Sequence, residues 1–160
     1  MSIEPNEFRE ALSRFASGVT VLTCRDIEGK LHGITVSAFC SVSLEPPLVL
    51  SCIDRSAGTH DALHQDMAYV VNVLKATQQP LSDRFASPVA DRFTGVDIRM
   101  SENEIPILEG SLAALECRLR YSYDGGDHTI FVGEVERTHL SDGSALLYHR
   151  GGYRVLEDLP

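Results

Sequence analysis

A chain of 160 residues, 43% hydrophobic and 23% charged, is long enough to bury one good core and fits a single domain over residues 1–160. Its formal net charge of −9 argues against nucleic acid and against an anionic membrane surface as partners. No apolar run approaches a membrane span, and Met1–Pro5 has neither the basic nor the apolar region of a secretory leader, so the expected location is cytoplasmic.

From Pro5 to about Ala16 the spacing is helical, with Phe8, Ala11, Leu12, Phe15 and Ala16 on one face and Glu7, Arg9 and Glu10 on the other. Gly18 ends that helix and opens a strand, Val19 to Cys24. An acidic turn at Glu28-Gly29 returns the chain as a second strand, Leu31 to Ser43. Pro46-Pro47 breaks it, and Leu48 to Ile53 makes a third strand. A short helix over Thr59 to Gln65 follows, with Thr59 or Ser56 as its cap. Ala68 to Leu74 alternates as a strand, and Gln78 to Phe85 reads as a helix. Ser87 to Glu109 carries no strong period and is expected to be a long, partly ordered excursion of the kind that often serves function. Leu112 to Tyr123 and His128 to Leu140 form a hairpin across Asp124-Gly125-Gly126-Asp127, and a last hairpin runs from Leu146 to Val155 through Gly151-Gly152. Mostly strands joined by hairpins, the order predicts an antiparallel β barrel or sandwich with a few helices.

Thr35, Ser37 and Ser51 place hydroxyls inside β-rich runs, where a polar group needs a partner. Such a row of donors suits a flat, heteroatom-rich ligand. If that ligand carries phosphate, Arg55, Arg84 and Arg92 are the cations to watch in so acidic a chain. No Gly-x-Gly-x-x-Gly follows any strand, which speaks against a Rossmann-type site. No Gly-x-Ser-x-Gly elbow and no convincing carboxylate pair is present. His60 and His64 have a zinc-compatible spacing but no supporting motif, so they read as a solvated helix face. Cys24, Cys40, Cys52 and Cys117 are widely spaced without a Cys-x-x-Cys pair and read as buried, reduced thiols.

Several stretches together resemble the short-chain flavin reductases, the FMN-binding split-barrel family. They are Thr35-Val36-Ser37-Ala38-Phe39, Ser41-Val42-Ser43-Leu44-Glu45-Pro46-Pro47, Ser51-Cys52-Ile53, Ser56-x-x-Thr59, Arg84-Phe85-Ala86, and Gly126-Asp127-His128-x-Ile130-x-x-Gly133-x-Val135. The resemblance implies a split β-barrel, a homodimer, and reduction of FMN or FAD by NADH or NADPH. Reduced flavin would then pass to a separate flavin-dependent monooxygenase. It further implies that Thr35, Val36, Ser37, Ala38, Ser51, Cys52 and Ile53 line the flavin. Ser56 and Thr59 would hold phosphate near a helix N-terminus, Arg84 would pair with phosphate, and Phe85 would cover the ring. His128 would be catalytic, orienting the nicotinamide or stabilising negative charge on reduced flavin. Tyr153, in Tyr148-His149-Arg150-Gly151-Gly152-Tyr153, would contact the cofactor or a neighbouring subunit. Whether Arg84 or Arg92 is the relevant cation stays open.

Two other readings use the same fold. One is a non-catalytic flavin-binding electron carrier. The other is a split-barrel oxidase of a pyridoxamine phosphate, which would call for more phosphate-binding cations than a chain whose only lysines are Lys30 and Lys75.

Overall fold

The computed structural model describes residues 3–156, so Met1 and Ser2 of the leader reading lie outside it. The first helix, α1 (Pro5–Ser13), opens with Pro5, whose missing N–H is harmless in a first turn. It ends before the expected Ala16 and buries none of its residues: Phe8 and Leu12 are each 53% exposed, and Phe15, just past its end, is 76% exposed. The amphipathic period is real, but its apolar face stays largely uncovered among the described residues.

A two-residue strand, β1 (Ser17–Gly18), leads into β2 (Thr20–Arg25) and β3 (Leu31–Val36). The expected long second strand is broken at Ser37-Ala38, and β4 (Phe39–Ser43) follows the break. After the corner at Pro46-Pro47 comes β5 (Leu48–Asp54), then α2 (Gly58–Asp66) and β6 (Ala68–Val73). A 3₁₀ turn over Ala76–Gln78 leads into α3 (Gln79–Ala86). The excursion is more ordered than expected. It carries a small hairpin, β7 (Ile98–Met100) with β8 (Pro106–Leu108), and Ile105, Ile107 and Leu108 are buried. The chain ends in β9 (Ala113–Gly125), β10 (His128–Leu140), β11 (Leu146–His149) and β12 (Gly152–Val155).

Seven strands form one antiparallel sheet in the order β3-β2-β6-β9-β10-β5-β4, and β1, β11 and β12 form a second, small sheet. The edges of the large sheet are β3 and β4, which are consecutive in the chain. Only three Cα–Cα steps of about 3.8 Å separate Val36 from Phe39, so the sheet curls until its edges approach. The bulges at Val132/Gly133 and Val135/Arg137 interrupt the β9–β10 ladder where the strands must bend.

Strands β2 and β6 are buried on both faces, so β6 does not alternate as the sequence pattern predicted. Leu22, Tyr69 and Val71 point to an inner core with Ile53, Leu119 and Phe131. On the other face Val19 and Val21 meet Leu74, Phe85, Leu108 and Leu146, while Ala68 and Val70 meet Ile105 and Ile107. Two buried polar side chains fasten the excursion there. Thr23 Oγ1 donates to the Pro106 carbonyl at 2.5 Å, and Asn72 Oδ1 accepts from Leu108 N–H at 2.9 Å. The last hairpin turns at Arg150-Gly151, both at positive φ, rather than at Gly151-Gly152.

Candidate functional site

The break between the sheet edges exposes backbone. Ser37 and Ala38 are exposed, and among the described residues their amides reach no acceptor. Their carbonyls are taken, by Phe39 N–H and by Cys52 N–H, each at 3.0 Å. A short stretch of strand edge is thus left with unspent donors. Val36 turns inward, 4% exposed, and its carbonyl accepts from Thr20 Oγ1 at 2.7 Å. The Thr35 hydroxyl is also committed, donating to the Ser82 carbonyl of α3 at 2.7 Å.

Thr35 and Ser37 do line a cavity of about 200 Å³ with Val19, Ser82, Ala86, Tyr148 and Tyr153. Tyr153 Oη donates to Asp83 Oδ1 at 2.9 Å and lies 2.8 Å from Ser82 Oγ, which fastens the C-terminal hairpin to α3. Burial, ahead of the neighbouring Asp83, pushes the Tyr153 phenol above its usual range.

On β5 the pleat separates the three expected residues. Ser51 and Ile53 face the inner core, 0% and 1% exposed. The Ser51 hydroxyl has no hydrogen-bond partner among the described residues. Cys52 lies on the other face, half-buried, its thiol raised by burial and by Cys40. Cys40 itself is exposed, unlike the buried thiols expected, whereas Cys24 and Cys117 are buried and pushed up to about 12.

Neither Ser56 nor Thr59 caps α2. Its N-cap is Ala57, with no side-chain hydrogen bond. Ser56 instead donates through N–H and Oγ to Asp54 Oδ1, both at 2.7 Å, and these bonds hold the Asp54 carboxyl below its ordinary range. Among the described residues the first-turn amides of Gly58 and Thr59 find no backbone acceptor; Gly58 is exposed, whereas Thr59 is 2% exposed, so the positive end of the helix meets the surface at Gly58.

His128 pairs with Asp54 across the β5–β10 ladder. Its Nδ1 lies 2.7 Å from Asp127 Oδ1, and its side chain is 40% exposed. An ionised carboxylate only accepts, so Nδ1 carries the proton and Nε2 is the nitrogen left for other work. Arg55 is occupied: it pairs with Asp124, and its own N–H reaches the Asp127 carbonyl, clasping the hairpin end.

The Arg84 and Arg92 alternatives resolve into one device. Arg84 donates to the carbonyls of Arg92 and Thr94, at 2.8 and 2.5 Å. Arg92 donates to the Ser87 carbonyl at 2.7 Å and to the Gly33 carbonyl at 2.6 Å. Arg84 thus ties the excursion to α3, and Arg92 ties it to β3. Phe85 is 0% exposed and packs edge-to-face on Phe93, so its ring fills the core. Arg92 also lines a cavity of about 500 Å³, together with Lys30, His32, Gly33, Gly58, Thr59, Asp91 and Phe93. Arg92 is among the cations the sequence singles out, whereas Gly58 carries no sequence signal.

The expected residues divide between the two ends of β3 and the interior, and no single pocket holds them all. Thr35, Ser37, Ala38 and Tyr153 sit at one end of β3. Thr59 sits at the other, with Ser56 and His128 on the adjoining loop and hairpin. Val36, Ser51, Ile53 and Phe85 belong to the interior.

A family model described as "Flavin reductase like domain" matches residues 12–157. The chain is 41% identical over 160 residues to an NADH-dependent flavin reductase of Rhodococcus sp, covering 97% of this chain and 88% of that protein. It is 39% identical over 160 residues to the reductase subunit HsaB of a flavin-dependent monooxygenase of Mycobacterium tuberculosis, covering 97% and 84%. The solved NADH:FAD oxidoreductase SgcE6 of Streptomyces globisporus, in complex with NAD and FAD fragments, superposes with a TM-score of 0.91 at 34% identity, covering 98% and 97%. A probable flavin reductase of Rhizobium meliloti is 40% identical, and the chain spans 48% of its length.

Proposed function

The chain belongs to the flavin reductase-like family, and from that membership we propose that it is an NADH:flavin oxidoreductase supplying reduced flavin to a separate flavin-dependent monooxygenase. The observation that carries the reading is the placement of two pairs of acceptor-free amides at opposite ends of β3. Ser37 and Ala38 lie at one end, and Gly58 and Thr59 border Gly33 near the other. From Gly33 to Ser37 is about 13 Å of strand. That separation suits a long molecule with a polar ring at one end and phosphate at the other.

These residues fit a flavin. The Ser37 and Ala38 amides would bind the carbonyl-rich edge of the ring, and the α2 amides would bind phosphate, with Lys30 and Arg92 offsetting the acidity of the chain. When bound, the flavin supplies the hydride acceptor for the nicotinamide donor. This chain binds, orients and excludes water, which needs no protein nucleophile. His128 stands at the open hairpin mouth with Nδ1–H fixed by Asp127, so Nε2 is held where it can orient the nicotinamide or carry a proton.

The finer reading is a split β-barrel, closed at the Ser37-Ala38 seam, forming one domain over residues 1–160 and working as a homodimer in the cytoplasm. Support for a dimer comes from Phe8 and Leu12 of α1 and Phe15 just beyond it, all exposed. Support for a reducing compartment comes from the four cysteines, all free. No helix among the described residues is long and apolar enough to cross a membrane.

Steady-state oxidation of NADH and of NADPH, each with and without added FMN or FAD, tests the activity. NADH consumption that requires added flavin is the expected result. Flavin binding with no turnover of either nicotinamide would assign the chain to the electron-carrier reading instead.

A further inference from the structure

We infer that the cavity beyond the α2 N-terminus takes the adenosine diphosphate half of FAD, so that this chain selects FAD over FMN. The inference rests on the flavin reductase reading and names the flavin for that same site. The cavity measures about 500 Å³, within the range of small-molecule pockets and several times what a phosphate group alone would fill. It opens beside Gly58 and Thr59, where the reading above places the first phosphate. A mononucleotide would end there and leave the remaining volume to water.

The lining matches the rest of FAD. Lys30 and Arg92 put two cations on the wall, and Lys30 is one of only two lysines in the chain. A diphosphate needs such partners in a molecule of net charge −9. The Arg92 guanidinium is held rigidly by the Ser87 and Gly33 carbonyls, so it is preorganised rather than mobile. Phe93, half-buried over Gly33, gives the wall an aromatic ring for a purine. Two carboxylates lie close by, Asp91 on the cavity wall itself, and both are engaged within their own turns. Asp91 accepts from Phe93 N–H and Thr94 N–H at 2.9 and 3.1 Å, and Asp26 accepts from His32 Nε2 at 2.8 Å and Lys30 N–H at 2.9 Å. Both have lowered carboxyl pKa values, led for Asp91 by the Thr94 hydroxyl and for Asp26 by His32.

Direct titration of the purified protein with FAD, with FMN and with ADP tests this, using wild type, Lys30→Ala and Ala90→Trp. Ala90 lies on the cavity wall, exposed, and a tryptophan there fills the space. Wild type should bind FAD at least about tenfold more tightly than FMN, and ADP should displace FAD. Both variants should bring the FAD-to-FMN affinity ratio towards one. Equal affinity for FMN and FAD in wild type would overturn the inference while leaving the reductase reading standing. It would also fall if ADP competed with NADH, under FMN-supported turnover, but not with FAD, since the cavity would then belong to the nicotinamide dinucleotide. Failure to bind either flavin would bring down the reductase reading, and this inference with it.

Discussion

A Cβ added to Gly33 would meet the Phe85 ring, 2.5 Å from Cε1 and 2.7 Å from Cδ1. The missing side chain on β3 and the buried ring on α3 are therefore one packing unit, and it sets how closely the helix lies on the strand that carries the candidate site. Thr35, two residues on, adds the hydrogen bond to Ser82 of the same helix. Strand and helix are locked together just before the exposed Ser37-Ala38 backbone.

Gly33→Ala is expected to push Phe85 out of place and to cost about 1–3 kcal/mol, the usual range for overpacking. Urea denaturation of the variant would measure the loss. Flavin affinity should fall with it, because β3 moves. A variant as stable as wild type would mean that the helix yields freely.

Gly133→Ala is expected to be at least as damaging, because its Cβ would run into the Tyr69 hydroxyl. Tyr69 is 1% exposed and has no room to retreat. The Tyr69→Phe background, which removes the obstructing oxygen, should recover part of the lost stability. If both single variants and the double variant melted together, the two positions would not be coupled.

Ser51→Ala is expected to leave stability unchanged or to raise it by about 1 kcal/mol, because the hydroxyl it removes is buried and unpaired. Thermal unfolding with and without flavin would check this. A loss of stability would reveal a partner for that hydroxyl.

Those three positions also mark what the sequence made legible. Hairpins, strand order and the helical period of α1 followed from Gly-Gly turns and apolar spacing. The interior roles of Val36, Ser51, Ile53 and Phe85 did not, because a motif names residue types and says nothing about which face of a pleat each one takes. The break at Ser37-Ala38 was hidden for a related reason: Val36 and Phe39 carry good β residues, and only the curl of the sheet separates them. The order of the excursion depends on Thr23, Asn72, Arg84 and Arg92, whose partners are backbone groups 10 to 83 positions away or nearby carbonyls with no sequence signature. Gly33 and Gly133 read as ordinary strand residues until the rings of Phe85 and Tyr69 are seen against them.

The Asp54–Ser56 loop should respond to acid. Its hydrogen bonds from Ser56 lower the folded pKa of Asp54, so its contribution is full above the unfolded value and is lost as pH falls through the folded one. The loop is expected to be unchanged from neutrality to about pH 4 and to loosen below it. Amide hydrogen exchange of Ser56 across that range would show the step, and Asp54→Asn should remove it. A step well above pH 4, or one that persists in Asp54→Asn, would contradict the assignment to Asp54.

His128→Ala is expected to lower kcat about tenfold or more, equivalent to at least about 1.4 kcal/mol of barrier, with flavin affinity held. Its side chain is 40% exposed, so folding should not suffer. Loss of flavin binding with kcat retained would move His128 from catalysis to binding.

Hydride transfer from NADH to flavin is read by anaerobic mixing of NADH with excess FAD and a catalytic amount of protein, following the bleaching of the flavin's visible absorption. Bleaching of many flavins per protein, slowed in His128→Ala, is expected. Bleaching no faster than in the absence of protein would mean that this chain does not catalyse the transfer.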